Sequence, residues 1–150
     1  MIWILADDRA GNVNQLLGIV EALGEPYERK DIRYTKWVKL PNFLQGASFI
    51  GIDKTSKENL SAPWPEVVLS AGRRSFPVAL KIKKLSKGKT KIVQTMSAGK
   101  LSDKKADLLF LPMHDNYAGH AQNVMQVVGS PHRVTVQKLK AEKEHWRDVL

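Results

Sequence analysis

Short apolar runs alternate with polar, glycine-bearing loops along this chain, and that alternation predicts strands and helices in turn. Residues 2–5 are apolar and stop at Asp7-Asp8-Arg9-Ala10-Gly11-Asn12, which reads as a buried parallel strand and its loop. Val13, Leu16, Leu17, Val20 and Leu23 then share one face of a helix, with Asn12 as N-cap and Gly24 as its stop. Residues 27–31 form a short, polar second strand, and a strand, a helix and a strand in about 30 residues make a βαβ unit. Residues 32–62 resist assignment. They mix Trp37, Phe43, Leu44, Phe49 and Ile50 with basic residues before the turn at Pro63-Trp64-Pro65.

The second half repeats the pattern more clearly. Strands are predicted over 67–70, 91–95, 106–111 and 123–128. Between the first two lies a helix capped by Ser75, with Pro77 in its first turn and Gly88 at its end. A last helix starts near Thr135 and carries Leu139 and Trp146. The expected architecture is α/β: one doubly wound, mostly parallel Rossmann-like sheet of about six strands, covered on both faces. In such sheets ligands bind outside the carboxyl ends of the strands. The Gly-, Arg-, Ser- and His-bearing loops all fall there, so Asp8, Gly72, Ser97 and His114 should share one edge.

Composition narrows the chemistry. The 150 residues suit one domain, and 43% hydrophobic content supplies a core. There is no cysteine, which excludes disulfides, thiolate metal sites and a cysteine nucleophile. The four histidines complete no metal-ligand spacing, so neither a metal nor a cofactor is expected. Residues 1–5 are too few for a signal peptide or a membrane span, and a cytoplasmic location is the expectation. A net charge of +9 favours anionic partners without choosing among them. The lysine run Lys81, Lys83, Lys84, Lys87, Lys89 and Lys91 reads as a solvated helix face, and no nucleic-acid motif accompanies it.

Three loops carry candidate chemistry. In the first, Asp8 beside a glycine turn is either a general base toward a hydroxyl or, with Asn12, a helix cap. In the second, Gly72-Arg73-Arg74-Ser75 puts two cations at a helix start, where the dipole disfavours them. A bound phosphate would relieve the conflict, and so would an ion pair with Asp7 or Asp8. In the third, His114 and Asp115 are either a proton-transfer pair or a hydrogen-bonded hinge. Trp37, Leu40, Phe43 and Leu44, with Lys36 and Lys39, fit a membrane surface or the core of a loop-rich lobe.

Taken in order, Ile4-Leu5-Ala6-Asp7-Asp8-Arg9-Ala10-Gly11-Asn12 with Gln15, Leu69-Ser70-Ala71-Gly72-Arg73-Arg74-Ser75, Pro112-Met113-His114-Asp115, and Asn123-Val124 with Gly129 and His132-Arg133-Val134-Thr135 resemble the mitochondrial-fission "elongate mitochondria" family over nearly the whole chain. Its bacterial members are described as glycosyltransferase-like or nucleotide-sugar-epimerase-like. The resemblance implies a GT-B-type architecture, two Rossmann-like domains facing across a cleft, with residues 1–150 as the amino-terminal, acceptor-side half and a carboxyl-terminal domain missing. It implies a nucleotide-sugar donor and a phosphorylated or lipid-linked acceptor; a membrane-proximal acceptor would account for the basic and aromatic segment near Trp37 through peripheral contact with the inner membrane surface. A non-catalytic interaction module, as in plant relatives that recruit a dynamin-like protein, is the alternative. The implied catalytic residues are Asp8 and His114. The implied ligand contacts are Gly11, Asn12, Gln15, Gly72, Arg73, Arg74, Ser75, Asp115 and Asn123. The chain departs from the family pattern at Gln94-Thr95-Met96-Ser97, where a proline-arginine pair is expected. The apolar end, Trp146 with Val149 and Leu150, is expected to need a covering surface.

Overall fold

The computed structural model describes residues 1–99 and 102–147. Six strands form one sheet: β1 (Ile2–Ala6), β2 (Tyr27–Asp31), β3 (Val67–Ala71), β4 (Lys91–Thr95), β5 (Leu108–Pro112) and β6 (Val124–Val127). Every pairing is parallel, and the order is β2-β1-β3-β4-β5-β6. The chain moves outward from β1 to β2, returns past β1 to β3, and then continues in one direction. β1 and β3 are therefore neighbours whose connections leave in opposite directions, the topological switch point of a doubly wound sheet.

The helices are α1 (Ala10–Leu23), α2 (Asn42–Gln45), α3 (Lys54–Glu58), α4 (Gly72–Leu85), α5 (Ser102–Lys105) and α6 (Val136–Arg147). α1 covers one face, where Leu16 and Val20 pack with Ile4, Leu69 and Ala71. α4 covers the other, packing Phe76, Ala79 and Ile82 on Leu5, Val68, Ile92 and Leu109. Alternate residues of β1 and β3 feed the two clusters, as the period-two geometry of a strand requires. The edge strand β2 is short and charged, with Lys30 paired to Glu28 at 2.6 Å, a composition that discourages pairing with another chain.

Residues 32–66 form a lobe on the α4 face, built from a 3-10 turn at Lys36–Lys39, α2 and α3. Ile32, Ile52 and Leu60 are buried in the same core as Trp3, and Trp64 meets the Trp3 ring edge-on at 6.0 Å. The aromatic residues that resisted assignment divide accordingly: Phe49 is packed inward, as is Trp64 of the following turn, while Trp37 and Phe43 remain exposed.

Local starts differ from the sequence reading. α1 begins at Ala10 with Arg9 in the cap position, so Asn12 is not the cap; it lies within the first turn. α4 begins at Gly72, so Ser75 is inside the helix and Pro77 is its sixth residue, beyond the first turn. The Ser75 hydroxyl still serves the helix start, accepting from the Ala71 amide at 3.1 Å and donating to its carbonyl at 2.8 Å. Pro77 has no N–H to give the carbonyl four residues back, which is that of Arg73. The Asn42 side chain supplies the missing donor at 3.0 Å, and in doing so ties the lobe to α4. The predicted fifth strand starts at Leu108, not at residue 106. Asp107 just before it takes the Ile92 amide at 2.8 Å and the Lys83 ammonium at 2.6 Å, which fixes the amino end of the sheet.

The chain after β6 returns to α1. A Cβ added to Gly18 would lie 2.7 Å from backbone atoms of His132, so only glycine permits this approach. Arg133 and Lys138 then pair with Glu21 of α1, at 2.7 and 3.7 Å. α6 itself buries nothing among the described residues: Val136, Leu139 and Trp146 are exposed. Val149 and Leu150, the rest of the anticipated apolar end, lie outside the described residues. A Gly18→Ala substitution should lower stability by about 1–3 kcal/mol through overpacking. Gly11→Ala, which enters open space in the same helix, should raise it by roughly 0.5–1 kcal/mol. Urea denaturation of both variants checks the pair; an unchanged midpoint for Gly18→Ala would show that residues 132–134 do not rest on α1.

Candidate functional site

The carboxyl ends of β1, β3, β4 and β5 all open on one edge of the parallel sheet, so the loops holding Asp8, Gly72, Ser97 and His114 lie together there, as expected from the sequence. The centre of this edge is the switch point. Asp7, at the end of β1, has a nearly buried side chain (2% exposed) and is fully engaged. One carboxylate oxygen accepts from the Arg9 amide at 3.1 Å; the other accepts from the Asn12 side chain at 2.9 Å and from Arg74 at 3.2 Å. Arg74 also binds Asp8, and its guanidinium lies over the Tyr34 ring, 4.5 Å from the centroid. Three segments distant in sequence are thereby fastened at one cation: the β1 loop, the start of α4 and the lobe.

Asp8 is two-thirds exposed, and its carboxyl is held below the usual carboxylate range, chiefly by the Arg74 hydrogen bond. It is a solvent-facing group that is ionised at neutral pH, and its pairing reduces its basicity. Tyr34 titrates above its ordinary range because burial, first, and the neighbouring Asp7 carboxylate disfavour a phenolate; it is a neutral floor beneath Arg74.

Arg73, one residue earlier, faces the other way. Its guanidinium donates to the carbonyls of Val38 at 3.2 Å and Leu40 at 3.0 Å, and lies 3.4 Å from the Asn42 side-chain oxygen. No carboxylate pairs with it among the described residues. The ion pair foreseen as the alternative to phosphate binding thus holds for Arg74 and not for Arg73.

Behind the loops sits Gln94, fully buried on β4. Its oxygen accepts from the Ser70 hydroxyl. Its nitrogen reaches the carbonyls of Gly72 at 3.0 Å, Thr95 at 3.0 Å and Met96 at 3.1 Å. Gly72 and Met96 both have positive φ, 67° and 62°, and Met96 carries a side chain into a conformation that disfavours one. The Met96 amide, donating to Phe110 at 3.0 Å, and the Gln94 contact to its carbonyl hold it there. Where the family pattern suggests a proline-arginine pair, this chain has a buried amide that sets the paths of two loops.

The remaining candidates scatter. Gln15 reaches the Met96 sulfur at 3.7 Å, and Gly11 is exposed on α1 with open space around it. His114 and Asp115 occupy a short 3-10 turn after β5; the imidazole is largely exposed and 3.6 Å from the Asp115 carboxylate. They stand two strands from β3, roughly 10 Å of sheet, and neither bonds to the Asp7–Arg74 cluster. Asn123 is a correction: it precedes β6, so it lies at the amino edge, opposite the site, where it donates to the Ala106 carbonyl at 2.8 Å. Its carbonyl also accepts from the Leu109 amide at 2.8 Å, so it links the starts of β5 and β6. Tyr34, Asn42 and Gln94 were not foreseen. Asn42 had one legible signal, the carbonyl that Pro77 must orphan.

Beside Arg73 lies a cavity of about 500 Å³, walled by α2, the first turns of α4, the loop after β4, and α5. No group of three or more His, Asp or Glu side chains suited to a metal ion occurs among the described residues. Nor is any helix among them long and apolar enough to cross a membrane.

Replacing Arg74 with Ala strands the buried Asp7 carboxylate and should cost about 3 kcal/mol, with part regained when Asp7→Asn is added. Asp8 provides a pH check. Its folded pKa is below its unfolded one, so its stabilisation is present at neutral pH and is lost as pH falls through the unfolded and then the folded value. Arg74→Ala should therefore flatten the acid side of the stability–pH curve. Denaturant titrations across that range would show it, and an acid slope equal to wild type would mean that Arg74 does not govern Asp8.

Comparison with known proteins places the chain. Residues 10–150 match the family described as Mitochondrial fission ELM1. An uncharacterized protein of Rickettsia prowazekii (strain Madrid E), RP120, is 33% identical over 115 residues, covering 76% of this chain and 32% of the relative. This chain thus spans about a third of that protein's length. No solved structure matches. On the family match over almost its whole length, this chain belongs to the mitochondrial fission ELM1 family.

Proposed function

We propose that this chain is the acceptor-side domain of a GT-B-like glycosyltransferase that uses a nucleotide-sugar. The observation that carries the reading is that one sheet edge presents both a solvent-facing ionised carboxylate, Asp8, at the switch point, and a cation with no carboxylate partner among the described residues, Arg73, turned toward the neighbouring cavity. In sugar transfer the acceptor oxygen bonds to the anomeric carbon, the bond from that carbon to the nucleotide's phosphate oxygen breaks, and the acceptor proton goes to the base. Asp8 is the base in this scheme, and Arg73 meets phosphate of the leaving group or the acceptor. Arg74 positions Asp8. His114 and Asp115 orient groups farther along the edge. The reaction needs groups from both walls of a cleft, and positioning alone can supply roughly 7–11 kcal/mol of barrier reduction. The greater length of the relative leaves room for a second wall.

A second reading is a non-catalytic module that meets a protein or a membrane surface. The exposed Val136, Leu139 and Trp146 of α6 favour it, as do Trp37 and Phe43 beside Lys36 and Lys39. Assays of nucleotide-sugar hydrolysis and sugar transfer, on this chain and on a longer family member, separate the two. The transferase reading expects no turnover by residues 1–150 alone and turnover by the longer protein, with kcat falling about 10²–10⁴-fold when the residue matching Asp8 becomes Asn. Comparable turnover by the short chain would refute the two-wall scheme, and an inert longer protein with any nucleotide-sugar would favour the interaction module.

A further inference from the structure

The cavity beside Arg73 has a chemistry that the switch-point cluster does not use. Its volume, about 500 Å³, is in the range of small-molecule sites. Phe76, Leu80 and Ala98 line its interior, and Phe43 stands at it with 75% of its surface exposed. Two cations belong to the same wall set, Arg73 and Lys105. The cavity is thus apolar within and cationic at its margin.

Arg73 is the telling residue. It stands in the first turn of α4, where the helix dipole is unfavourable to a cation. Arg74 shares that position and is neutralised by Asp7 and Asp8. Among the described residues Arg73 has only neutral acceptors, the carbonyls of Val38 and Leu40 and the Asn42 amide oxygen. Those acceptors fix the guanidinium in place without cancelling its charge. The frame around it is fixed too: the Asn42 nitrogen bridges the carbonyls of Arg73 and Ala98, at 3.0 and 2.9 Å, so two walls of the cavity are tied together. A preset cation next to an apolar cavity matches an anionic amphiphile.

We propose that this cavity binds one molecule of a single-chain amphiphile with a phosphate or phosphodiester head. The chain lies against Phe43, Phe76 and Leu80, and the head rests on Arg73 and Lys105. The occupant is an individual lipid-like phosphate withdrawn from bulk, not a bilayer surface. This deepens the transferase reading by naming the acceptor class, and rests on that reading only for the word acceptor.

The test is calorimetry on the 150-residue chain, with dodecyl phosphate below its micelle concentration and no sugar donor present. Inorganic phosphate, dodecyl maltoside and phosphatidylglycerol vesicles are the other arms. Dodecyl phosphate should bind one per chain, at least about tenfold more tightly than either inorganic phosphate or the neutral detergent. Phe43→Ala and Lys105→Ala alter exposed side chains and should each weaken it, Lys105→Ala by about tenfold, the effect of losing one charge-assisted hydrogen bond. Arg73→Gln should weaken it further, with circular dichroism confirming that the variant folds. Equal affinity for inorganic phosphate would reduce the site to an anion site and overturn the proposal. So would equal affinity for the maltoside, wild-type affinity in both surface variants, or vesicle binding without monomer binding. Sugar transfer by a longer relative is scored separately: loss of amphiphile binding with transfer intact sinks the cavity proposal alone, and binding without transfer sinks the transferase reading alone.

Discussion

Asp7 places a carboxylate at the end of a buried strand, where water is nearly excluded, and such a charge is tolerated only with a cation and hydrogen-bond donors around it. Arg74 is that cation, and the demand dictates much of what surrounds it. α4 must begin where its third residue can reach across from β3 to β1. Asn12, inside the first turn of α1, must donate to Asp7. The lobe must bring Tyr34 beneath the guanidinium, on the open side that neither carboxylate covers. The switch point of the sheet is therefore closed by an ionic clasp, and the lobe is held against it as well as by its own buried apolar residues.

The clasp also explains why adjacent arginines have different fates. Successive residues at a helix start point about 100° apart. When Arg74 is committed to the carboxylates, Arg73 is turned toward α2. There the backbone has already been arranged by another local deficit, the donor that Pro77 lacks. Asn42 fills it and in the same stroke holds Ala98, so a proline in α4 fixes the distance between α4 and the loop after β4. One helix start thus sends a neutralised cation to the switch point and, to the cavity, a cation without a carboxylate partner among the described residues.

What the sequence made legible follows from the range of the forces involved. The strands, α1 and α4, and the shared edge of the loops depend on apolar period and on glycine, which are local, and they were readable. Gly24 ends α1 in the left-handed conformation that its position required. The caps were misread because Asn12 and Ser75 are capping residue types whose partners were elsewhere. Residue type states what a side chain can bond, not what competes for it. The lobe was opaque because its helices are four and five residues long, too short to show a period, and its structure comes from contacts with Trp3, Arg73 and Ala98 far along the chain. Asn123 was assigned to the site through family resemblance, and topology removes it: a residue that precedes a strand cannot share an edge with residues that follow the other strands.

The two ends of the site-bearing edge differ in how firmly they are built, and the difference bears on chemistry. Around β1, β3 and β4 the loops are pinned by the buried side chains of Asp7, Gln94 and Ser75 and by the half-buried Asn42 amide. Around β5, His114 and Asp115 are exposed on a single short turn and bond to none of them. Reacting groups work when their geometry is held by their surroundings. That condition is met for Asp8 and Arg73 within this domain and is not met for His114. A catalytic role for the imidazole therefore requires an outside surface to pack against the β5 turn. The large apolar side chains of α6 likewise have no cover among the described residues, although the segment leading into it is docked on Gly18 and Glu21. The firmly held part of this edge thus lies at β1, β3 and β4, and the part held by few contacts lies at the β5 turn.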